Sequence, residues 1–378
     1  MSQIDKLIAD LCPEGVEFRT LKSLARRSKG TSITAARMKA LSRPSGEIRV
    51  FAGGKTFADV DASAIPSGDV ITTPSIIVRS RGNIDFTYYD KPFSHKSEIW
   101  SYSTSQPDVE QRFIYYYLTT LTSHLQEVAR ATSVKLPQLA VKDTDLLRIP
   151  VPPLEVQREI VRVLDKFTQL EAELEAELEA RHHQYKYYQK TLLTPADKSY
   201  HTASLGELFE LRAGKFISAT LITPKRDAEH PIPCFGGGGL RGYVSSHNQN
   251  GDLVLIGRQG ALCGNVKRAS GKFYATEHAV VVSPKSAVDI RWAFHLLSHM
   301  NLNQYASKSA QPGLSVNMLK QLSVPVPPLP VQVATASILD KFDSLVNDLS
   351  IGLPAELAAR RKQYEYYRDR LLTFEEKR

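Results

Sequence analysis

Apolar and polar residues follow two different rhythms along this chain, and the rhythm changes in the same way in each half. Short apolar runs rich in β-branched residues, separated by glycine and proline, predict strands and turns. These runs lie at 48–51, 70–72 and 75–79 in the first half, and at 253–256 and 279–282 in the second. Apolar residues at helical spacing follow over 111–131 and 290–305, so each half is predicted to contain an α+β unit.

Two long stretches without strand patterning separate these units. The first, 154–193, has forty residues and contains neither proline nor glycine. Its apolar positions keep three- and four-residue spacing, which predicts a helix with a stripe for one partner helix. At about 1.5 Å per residue this helix is roughly 60 Å long. The second stretch, 329–372, contains Gly352 and Pro354, and we expect a kink or a brief break there.

A short acidic repeat lies inside the first long stretch. Residues 172–175 (Ala-Glu-Leu-Glu) recur at once as 176–179. Glutamates four residues apart on a helix repel each other, which disfavours the helix in isolation. The repeat is either a solvated acidic face or requires a basic neighbour, for which Arg360, Arg361 and Lys362 are candidates.

Two sequence blocks occur twice. Residues 149–157 (IPVPPLEVQ) return as 324–332 (VPVPPLPVQ), and 164–167 (LDKF) return as 339–342, each 175 positions later (from 151 to 326 and from 164 to 339). A duplication of this length predicts two similar units related by an approximate twofold axis. Because the halves differ between the copied blocks, we expect variable units that share a backbone and differ in what they contact.

Composition bounds the class of protein. The 378 residues are 42% hydrophobic and 23% charged, as is ordinary for a globular protein, and the net charge of +8 favours a polyanionic partner. No apolar run approaches the roughly 20 residues of a membrane span, and no secretory signal is visible at the N-terminus. Cys12, Cys234 and Cys263 are scattered, which fits a reducing compartment. We therefore expect a cytoplasmic protein without membrane partners.

The doubled proline signature, each copy followed by a glutamine and then by Leu-Asp-Lys-Phe, resembles the specificity subunit of type I restriction–modification enzymes. Residues 12–18 (CPEGVEF) and the block from Gly251-Asp252-Leu253-Val254 to Arg258-Gln259-Gly260 resemble it too. The resemblance covers nearly the whole chain. It implies an α+β fold with two target-recognition domains separated by two long antiparallel helices in a coiled coil, and a pseudo-twofold internal repeat.

The resemblance also implies domain boundaries and a function. Target-recognition domains are expected at 1–148 and 199–323, and a proline elbow with a spacer helix at 149–198 and 324–378. The implied role is non-catalytic: each recognition domain reads one half of a bipartite site in double-stranded DNA, and the helices set the gap. Two methyltransferase (modification) subunits dock on the chain, and restriction subunits join through the methyltransferase core. The alternatives are a self-sufficient DNA methyltransferase or nuclease, and a structural adaptor that does not contact DNA.

Several motifs suggest chemistry of the chain's own, but each lacks a required part. Residues 237–242 fit G-x-G-x-x-G, yet they follow no pattern of a βαβ unit. Residues 54–56 (Gly-Lys-Thr) end like a P-loop, but Arg49 stands where its first glycine is required. The pair His182 and His183 has no third metal ligand on its helix. We expect no catalytic residue, no cofactor site and no metal site.

Reading a base requires donors and acceptors at a groove edge, whereas positioning requires cations near phosphates. Arginine pairs with guanine, and glutamine or asparagine pairs with adenine. For each candidate the alternative is a solvated surface side chain. The candidate DNA contacts are the polar residues in or beside turns of the variable units: Lys55, Arg79, Arg81, Asn83, His95 and Lys96 in the first, and Arg241, Arg258, Gln259, Lys267, Arg268 and His278 in the second.

The copied blocks are expected to make the same contact twice, once for each methyltransferase subunit. The candidate docking residues are those that recur in both copies: Pro152, Pro153, Gln157, Phe167, Pro327, Pro328, Gln332 and Phe342.

Overall fold

The computed structural model describes residues 3–132, 135–194, 200–285, 287–307 and 312–377. The chain divides into two compact units: unit 1 comprises Met1–Glu173 and Ala358–Arg378, and unit 2 comprises Leu174–Leu357. This division cuts across the four predicted segments, whose boundaries remain a prediction. The predicted boundary at 198 and 199 lies outside the described residues.

Unit 1 contains two sheets, a strand pair and the helices that cover them. Its elements in chain order are α1 (Gln3–Leu11), β1 (Glu17–Thr20), α2 (Leu21–Leu24), β2 (Arg26–Ser28), α3 (Ala35–Leu41), β3 (Ile48–Phe51), β4 (Phe57–Val60), β5 (Ser75–Arg79), β6 (Asp85–Tyr89), β7 (Phe93–His95), β8 (Trp100–Ser103), α4 (Gln111–Thr120), α5 (Thr122–Thr132), α6 (Val141–Asp145), β9 (Arg148–Val151) and the first half of α7 (Leu154–Leu193).

The sheets of unit 1 have the orders β2-β8-β5-β6 and β4-β3-β7, and β1 pairs with β9. All neighbours are antiparallel except β3 and β7. Alternate side chains of a strand face opposite ways, and every residue of β5 is buried. Ile76 and Val78 pack with Ile114 of α4, whereas Ile77 packs with Phe93 of the other sheet. The central strand is therefore covered on both faces.

Unit 2 repeats this arrangement. Its elements are the second half of α7, β10 (Thr202–Ser204), α8 (Leu205–Leu208), β11 (Phe209–Ala213), β12 (Ile232–Gly236), β13 (Gly239–Val244), β14 (Gln249–Asn250), β15 (Leu253–Gly257), β16 (Val266–Ala269), β17 (Lys272–Ala275), β18 (Ala279–Pro284), α9 (Ile290–His299), α10 (Val316–Gln321), β19 (Ser323–Pro325) and α11 (Leu329–Asn347), and α12 (Leu353–Leu371) continues from unit 2 into unit 1.

Strand order in unit 2 matches that in unit 1, except that the second sheet of unit 2 has one additional strand, β14, at its edge. The sheets are β11-β18-β15-β16 and β13-β12-β17-β14, β10 pairs with β19, and the parallel pair is again in the second sheet, between β12 and β17. The central strand β15 is again covered on both faces, because Val254 packs with Trp292 of α9 and Leu255 packs with Phe273. The predicted α+β fold and the internal repeat are confirmed.

The two long helical stretches form as predicted. Helix α7 runs unbroken from Leu154 to Leu193. The second stretch breaks between Asn347, the last residue of α11, and Leu353, the first of α12. A Cβ atom at Gly352 would lie only 2.5 Å from the Ser344 carbonyl oxygen, so the chain turns tightly at a position that admits no side chain.

Within each unit the helices pair antiparallel. In unit 1, Phe167 lies with its ring centroid 5.6 Å from that of Tyr367, and Arg361 binds Glu171 at 2.6 Å, so residue numbers fall on α12 as they rise on α7. In unit 2, Tyr188 of α7 stacks on Phe342 of α11 at 5.1 Å. The acidic stretch thus has a basic neighbour of the expected kind, although the bonded glutamate immediately precedes the repeat.

The helix predicted over 111–131 is divided in two. Helix α4 ends at Thr120, and α5 begins at Thr122. The hydroxyls of Thr119 and Thr120 donate to carbonyls three residues earlier, at 2.6 and 2.7 Å, and such bonds compete with the helical ladder. Apolar periodicity continues across the break, which is why the sequence predicts a single helix.

Two further predictions differ from the structure. The strand predicted at 70–72 is wrong: only Ile71 forms a β-bridge, and Pro74 follows closely. The helix predicted over 290–305 ends at His299, because Asn301 adopts a left-handed φ of 47° before a 3₁₀ turn. None of the described helices is long and apolar enough to cross a membrane.

Candidate nucleic-acid interface

Three loops of unit 2 enclose an open pocket of about 610 Å³. They are the β12–β13 hairpin, the loop that follows β15, and the turn between β17 and β18. The pocket is lined by the glycines 236–239 and by Leu240, Arg241, Gln259, Ala261, Leu262 and His278.

The glycines are required by close backbone approach. A Cβ atom at Gly237 would lie 3.1 Å from the carbonyl oxygens of both Gln259 and His278, and one at Gly257 would lie 2.1 Å from the Gly237 carbonyl oxygen. The three loops therefore contact one another through bare backbone. The G-x-G-x-x-G match at 237–242 lies in this β-hairpin, which accounts for its glycines without a dinucleotide.

Arg241 occupies a β-bulge. Cys234 pairs with Gly242 and Phe235 pairs with Leu240, so Arg241 is the extra residue between two successive pairs. A bulge bends its strand and redirects a side chain, and bulges are frequent beside functional sites. The equivalent hairpin of unit 1, β3–β4, pairs without a register shift. The bulged residue Arg241 therefore has no counterpart in the β3–β4 ladder. Its side chain is exposed at the pocket.

Gln259 is presented by a rigid loop. Its backbone forms a β-bridge with Gly313, and the N–H of Gly260, at a left-handed φ of 83°, donates to the Pro312 carbonyl at 3.0 Å. The N–H of the buried Leu314 donates to the Arg258 carbonyl at 2.8 Å. The Gln259 side chain is exposed, whereas Arg258 is half-buried.

Two predicted DNA contacts of unit 1 are internal instead. Arg79 is 8% exposed; its Nε donates to Thr87 Oγ1 at 3.0 Å, and its Nη1 donates to the Gly54 carbonyl. Burial lowers the pKa of the Arg79 guanidinium. His95 is 0% exposed, with Nδ1 3.1 Å from the Lys96 carbonyl and Nε2 3.2 Å from Ser101 Oγ, and burial lowers its pKa. Both side chains are buried and make hydrogen bonds inside unit 1, so neither is available to contact a base.

Three other candidates are held by carboxylates. Lys96 binds Glu98 at 2.7 Å in unit 1. In unit 2, Arg268 makes two bonds to Asp252, at 2.7 and 2.6 Å, and the hydrogen bond to Asp252 raises its pKa. His278 Nε2 lies 3.1 Å from Glu277 Oε1. The candidates that are exposed and have no carboxylate partner among the described residues are Lys55, Arg81 and Asn83 in unit 1, and Arg241, Gln259 and Lys267 in unit 2.

Sequence reasoning missed a basic groove of unit 1. Arg26, Arg27 and Lys29, on and beside the edge strand β2, line an open cavity of about 720 Å³ together with serine and threonine residues. The three basic residues within 26–29 (Arg-Arg-Ser-Lys) were the available signal. Glu277 was also missed: its Oε2 atom is buried without a hydrogen-bond partner in the described part of the chain.

The copied glutamines are buried in the proline elbows. Gln157 is 1% exposed; its Nε2 donates to the carbonyls of Pro152 (2.7 Å) and Asp108 (2.9 Å), and its Oε1 accepts from the Glu110 N–H (2.8 Å). This side chain therefore fastens the elbow to the start of α4, and it is not available to a partner subunit.

Gln332 makes two of the three corresponding contacts in unit 2. It is 1% exposed, donates to the Pro327 carbonyl at 2.8 Å and accepts from the Asp289 N–H at 3.0 Å. The other predicted docking residues are mostly internal too: Pro152 and Pro327 are buried, and Phe167 and Phe342 stack on tyrosines, whereas Pro153 and Pro328 are exposed. The contact made twice is thus an internal one.

The aspartate of each Leu-Asp-Lys-Phe block completes this joint. Asp165 accepts from the Tyr116 hydroxyl at 2.5 Å and from Arg112 at 2.8 Å, and burial raises the pKa of Tyr116. At the equivalent position, Asp340 lies 2.8 Å from His295 Nε2 and 3.5 Å from Arg291. The second copied block therefore anchors the long helices to α4 and α9.

Comparisons with known sequences agree with these features. A sequence profile of the type I restriction modification DNA specificity domain matches residues 13–180 and 198–359. The EcoprrI type I restriction enzyme specificity subunit of Escherichia coli is 46% identical over 250 residues, which are 63% of this chain and 62% of that subunit. The chain thus spans less than two thirds of that relative. The EcoR124I/EcoR124II specificity subunit of Escherichia coli is 30% identical over 324 residues, 77% of this chain and 79% of that subunit.

Solved structures share the fold. The S subunit of a type I restriction-modification system from M. genitalium superposes with a TM-score of 0.68 at 18% identity, covering 95% of this chain and 96% of that one. A chain from a structure that describes complex assembly and conformational transition of the type I R-M system gives a TM-score of 0.54 at 15% identity, covering 96% and 98%. At these identities the likeness concerns the fold alone.

Proposed function

The chain belongs to the type I restriction–modification DNA specificity family, and from this premise we propose that it is the DNA-recognition subunit of such a complex. Each unit reads one half of a bipartite site in double-stranded DNA. Methyl transfer and cleavage belong to partner subunits. A self-sufficient enzyme would bind the methyl donor unaided, so binding of S-adenosylmethionine by the purified chain alone would contradict this assignment.

One observation carries the proposal. The two units share one strand order apart from the additional strand β14, yet the side chains on their loops differ, whereas the copied glutamines are used internally to hold the elbows. A fixed frame with variable loops suits the reading of two different short sequences by one kind of module. The net charge of +8 suits a polyanionic ligand.

Exchange of recognition units tests the division of labour. Residues 20–145 are replaced by the corresponding segment of a relative with a known target, and the methylated sequence is determined by long-read sequencing. We expect one half of the target to change and the other half and the gap to stay. The reciprocal exchange of residues 199–323 should alter only the other half. A single exchange that alters both halves contradicts the proposal.

We place the docking of methyltransferase subunits on exposed helix positions, because the copied glutamines are buried. Leu170 of α7 and Leu345 of α11 are equivalent residues, 175 positions apart, and both are exposed apolar side chains. Each is suited to contact one methyltransferase subunit, and restriction subunits then join through that methyltransferase core.

Native mass spectrometry of the complex tests this docking. Leu170→Asp and Leu345→Asp should each reduce the number of bound methyltransferase subunits from two to one. Leu170→Met, which keeps an apolar side chain of similar volume, is the matched control and should retain both. Two bound subunits in both aspartate variants would exclude these positions from the interface.

A further inference from the structure

Unit 1 contains a counterpart of the loop that presents Gln259. In unit 1 the N–H of Gly82 donates to the Pro137 carbonyl at 2.9 Å, as that of Gly260 donates to Pro312 at 3.0 Å in unit 2. Both glycines adopt the left-handed conformation, with φ of 77° and 83°. Each loop follows the central strand of its sheet, which fixes the two glycines as equivalent residues.

The residues before these glycines match as well. Leu139 donates its N–H to the Ser80 carbonyl at 2.9 Å, which repeats the bond from Leu314 to Arg258. Arg81 forms an isolated antiparallel bridge with Gln138, which repeats the bridge between Gln259 and Gly313. Arg81 therefore stands in unit 1 where Gln259 stands in unit 2.

The position is rigid in both units and its side chain is exposed in both. Leu139 and Leu314, which bond to the preceding carbonyl, are 1% and 2% exposed, so the strand end is clamped to the core. Arg81 and Gln259 are exposed. Among the described residues neither side chain has a carboxylate partner, in contrast to Arg268, which makes two hydrogen bonds to Asp252. Their polar atoms thus face solvent from a fixed backbone.

The two side chains differ in hydrogen-bonding chemistry. Arginine offers only donors, in a planar fork that matches the two acceptors, O6 and N7, on the major-groove edge of guanine. Glutamine offers one acceptor and a donor group, which match N6 and N7 of adenine. Two equivalent positions with these different chemistries are suited to select different bases at corresponding places.

We infer that Arg81 and Gln259 are equivalent base-reading residues, and that Arg81 reads a guanine in the half-site of unit 1 while Gln259 reads an adenine at the corresponding position of the half-site of unit 2. This inference rests on the proposed function and deepens it. It assigns the discrimination at one base pair in each half-site to one side chain.

Reciprocal substitutions test the inference in the full chain complexed with its methyltransferase subunits. Gln259→Arg should change the preferred base at one position of one half-site from adenine to guanine, and Arg81→Gln should change guanine to adenine in the other half-site. The preference measured from methylation rates should shift on the order of tenfold to a hundredfold, as expected for one bidentate base contact. Arg212→Gln, at an exposed arginine of unit 2 that is not a candidate DNA contact, is the control and should leave the preferred bases unchanged.

The alanine variants Gln259→Ala and Arg81→Ala provide a second test. Each should weaken the base preference at the same single position that the reciprocal substitution changes. Equal loss of methylation on all sequences, a change in both half-sites, or unchanged preference in the reciprocal variants would overturn the inference while leaving the bipartite target of the wild-type chain intact. Absence of a bipartite target in the wild-type complex would instead overturn the proposed function. Thermal unfolding matched to the wild-type chain establishes that each variant is folded.

Discussion

Replacement of Gln157 by alanine should destabilise unit 1 because it removes three hydrogen bonds at once. The amide joins the Pro152 and Asp108 carbonyls to the Glu110 N–H, at 2.7, 2.9 and 2.8 Å, from a position that is 1% exposed. Leaving a buried polar group unpaired costs about 1–3 kcal/mol, and water can enter the space left by the amide and recover part of this. We therefore expect Gln157→Ala to lower the free energy of unfolding of unit 1 by about 2–5 kcal/mol.

The two tryptophans make the assay specific, since Trp100 is buried in the core of unit 1 and Trp292 in that of unit 2. In a Trp292→Phe background, the fluorescence of Trp100 reports the urea-induced unfolding of unit 1 alone. Trp292 Nε1 has no hydrogen-bond partner in the described residues, so this background removes no bond there. Trp100→Phe gives the complementary reporter, in which Gln332→Ala should cost less because Gln332 makes two such bonds among the described residues.

Gln169→Ala is the matched control for this measurement. Gln169 is an exposed glutamine on the same helix, bonded only to Glu173 at 2.8 Å among the described residues, and its loss should cost under about 0.5 kcal/mol. If Gln157→Ala destabilises unit 1 no more than Gln169→Ala does, the elbow is not held by the glutamine and the reasoning is wrong.

Three further outcomes are expected. Deletion of residues 172–175 shortens α7 by about 6 Å and should shorten the preferred gap by roughly one or two base pairs, with both half-sites kept, as seen by methylome sequencing. Burial lowers the pKa of His95, so its contribution to stability is complete above the unfolded-state value of about 6.5 and is lost as pH falls through the lower folded-state value; unfolding of unit 1 at pH 5 and pH 7.5 should show this loss, and His95→Gln should reduce it. Lys267→Ala should reduce the slope of log affinity against log salt by about 1 if it contacts one phosphate, without altering base preference.

Each of these outcomes has a clear contradiction. An unchanged gap after the deletion would show that the length of α7 does not set the distance between the two half-sites. Identical pH dependence in the wild-type chain and the His95→Gln variant would show that another group titrates. A change of preferred base in Lys267→Ala would mean that this lysine reads sequence and does not merely position the backbone.

The helices could be predicted because their determinants are local. The absence of proline and glycine over 154–193 specifies α7, and Gly352 with Pro354 specifies the break before α12. The repeat could be predicted because the two copies of each block are nearly identical in sequence and both blocks recur at the same offset. The division of 111–131 could not, because it depends on which way two threonine hydroxyls point.

The burial of the site residues depends on distant partners, which is why several side chains predicted to contact DNA or a partner subunit lie inside the fold. Gln157 meets Asp108 and Glu110, which are 49 and 47 positions away in the chain. Arg81 lies two positions after Arg79, and nothing in the local sequence distinguishes the buried guanidinium of Arg79 from the exposed one of Arg81. The bulge at Arg241 depends on the pairing register of β12 with β13, and the regular pairing of β3 with β4 shows that the equivalent hairpin lacks it.

The two repeated units are each proposed to read one half of a bipartite DNA site. Methylome sequencing tests this proposal most directly, in source cells with and without this gene and with the methyltransferase partner left intact. With the gene present, methylated bases should occur in one target made of two short defined sequences separated by a gap of fixed length and undefined sequence, and this methylation should vanish when the gene is removed. Methylation of this target that persists without the gene, or a target without a gap, would contradict the proposal that the two units each read one half-site.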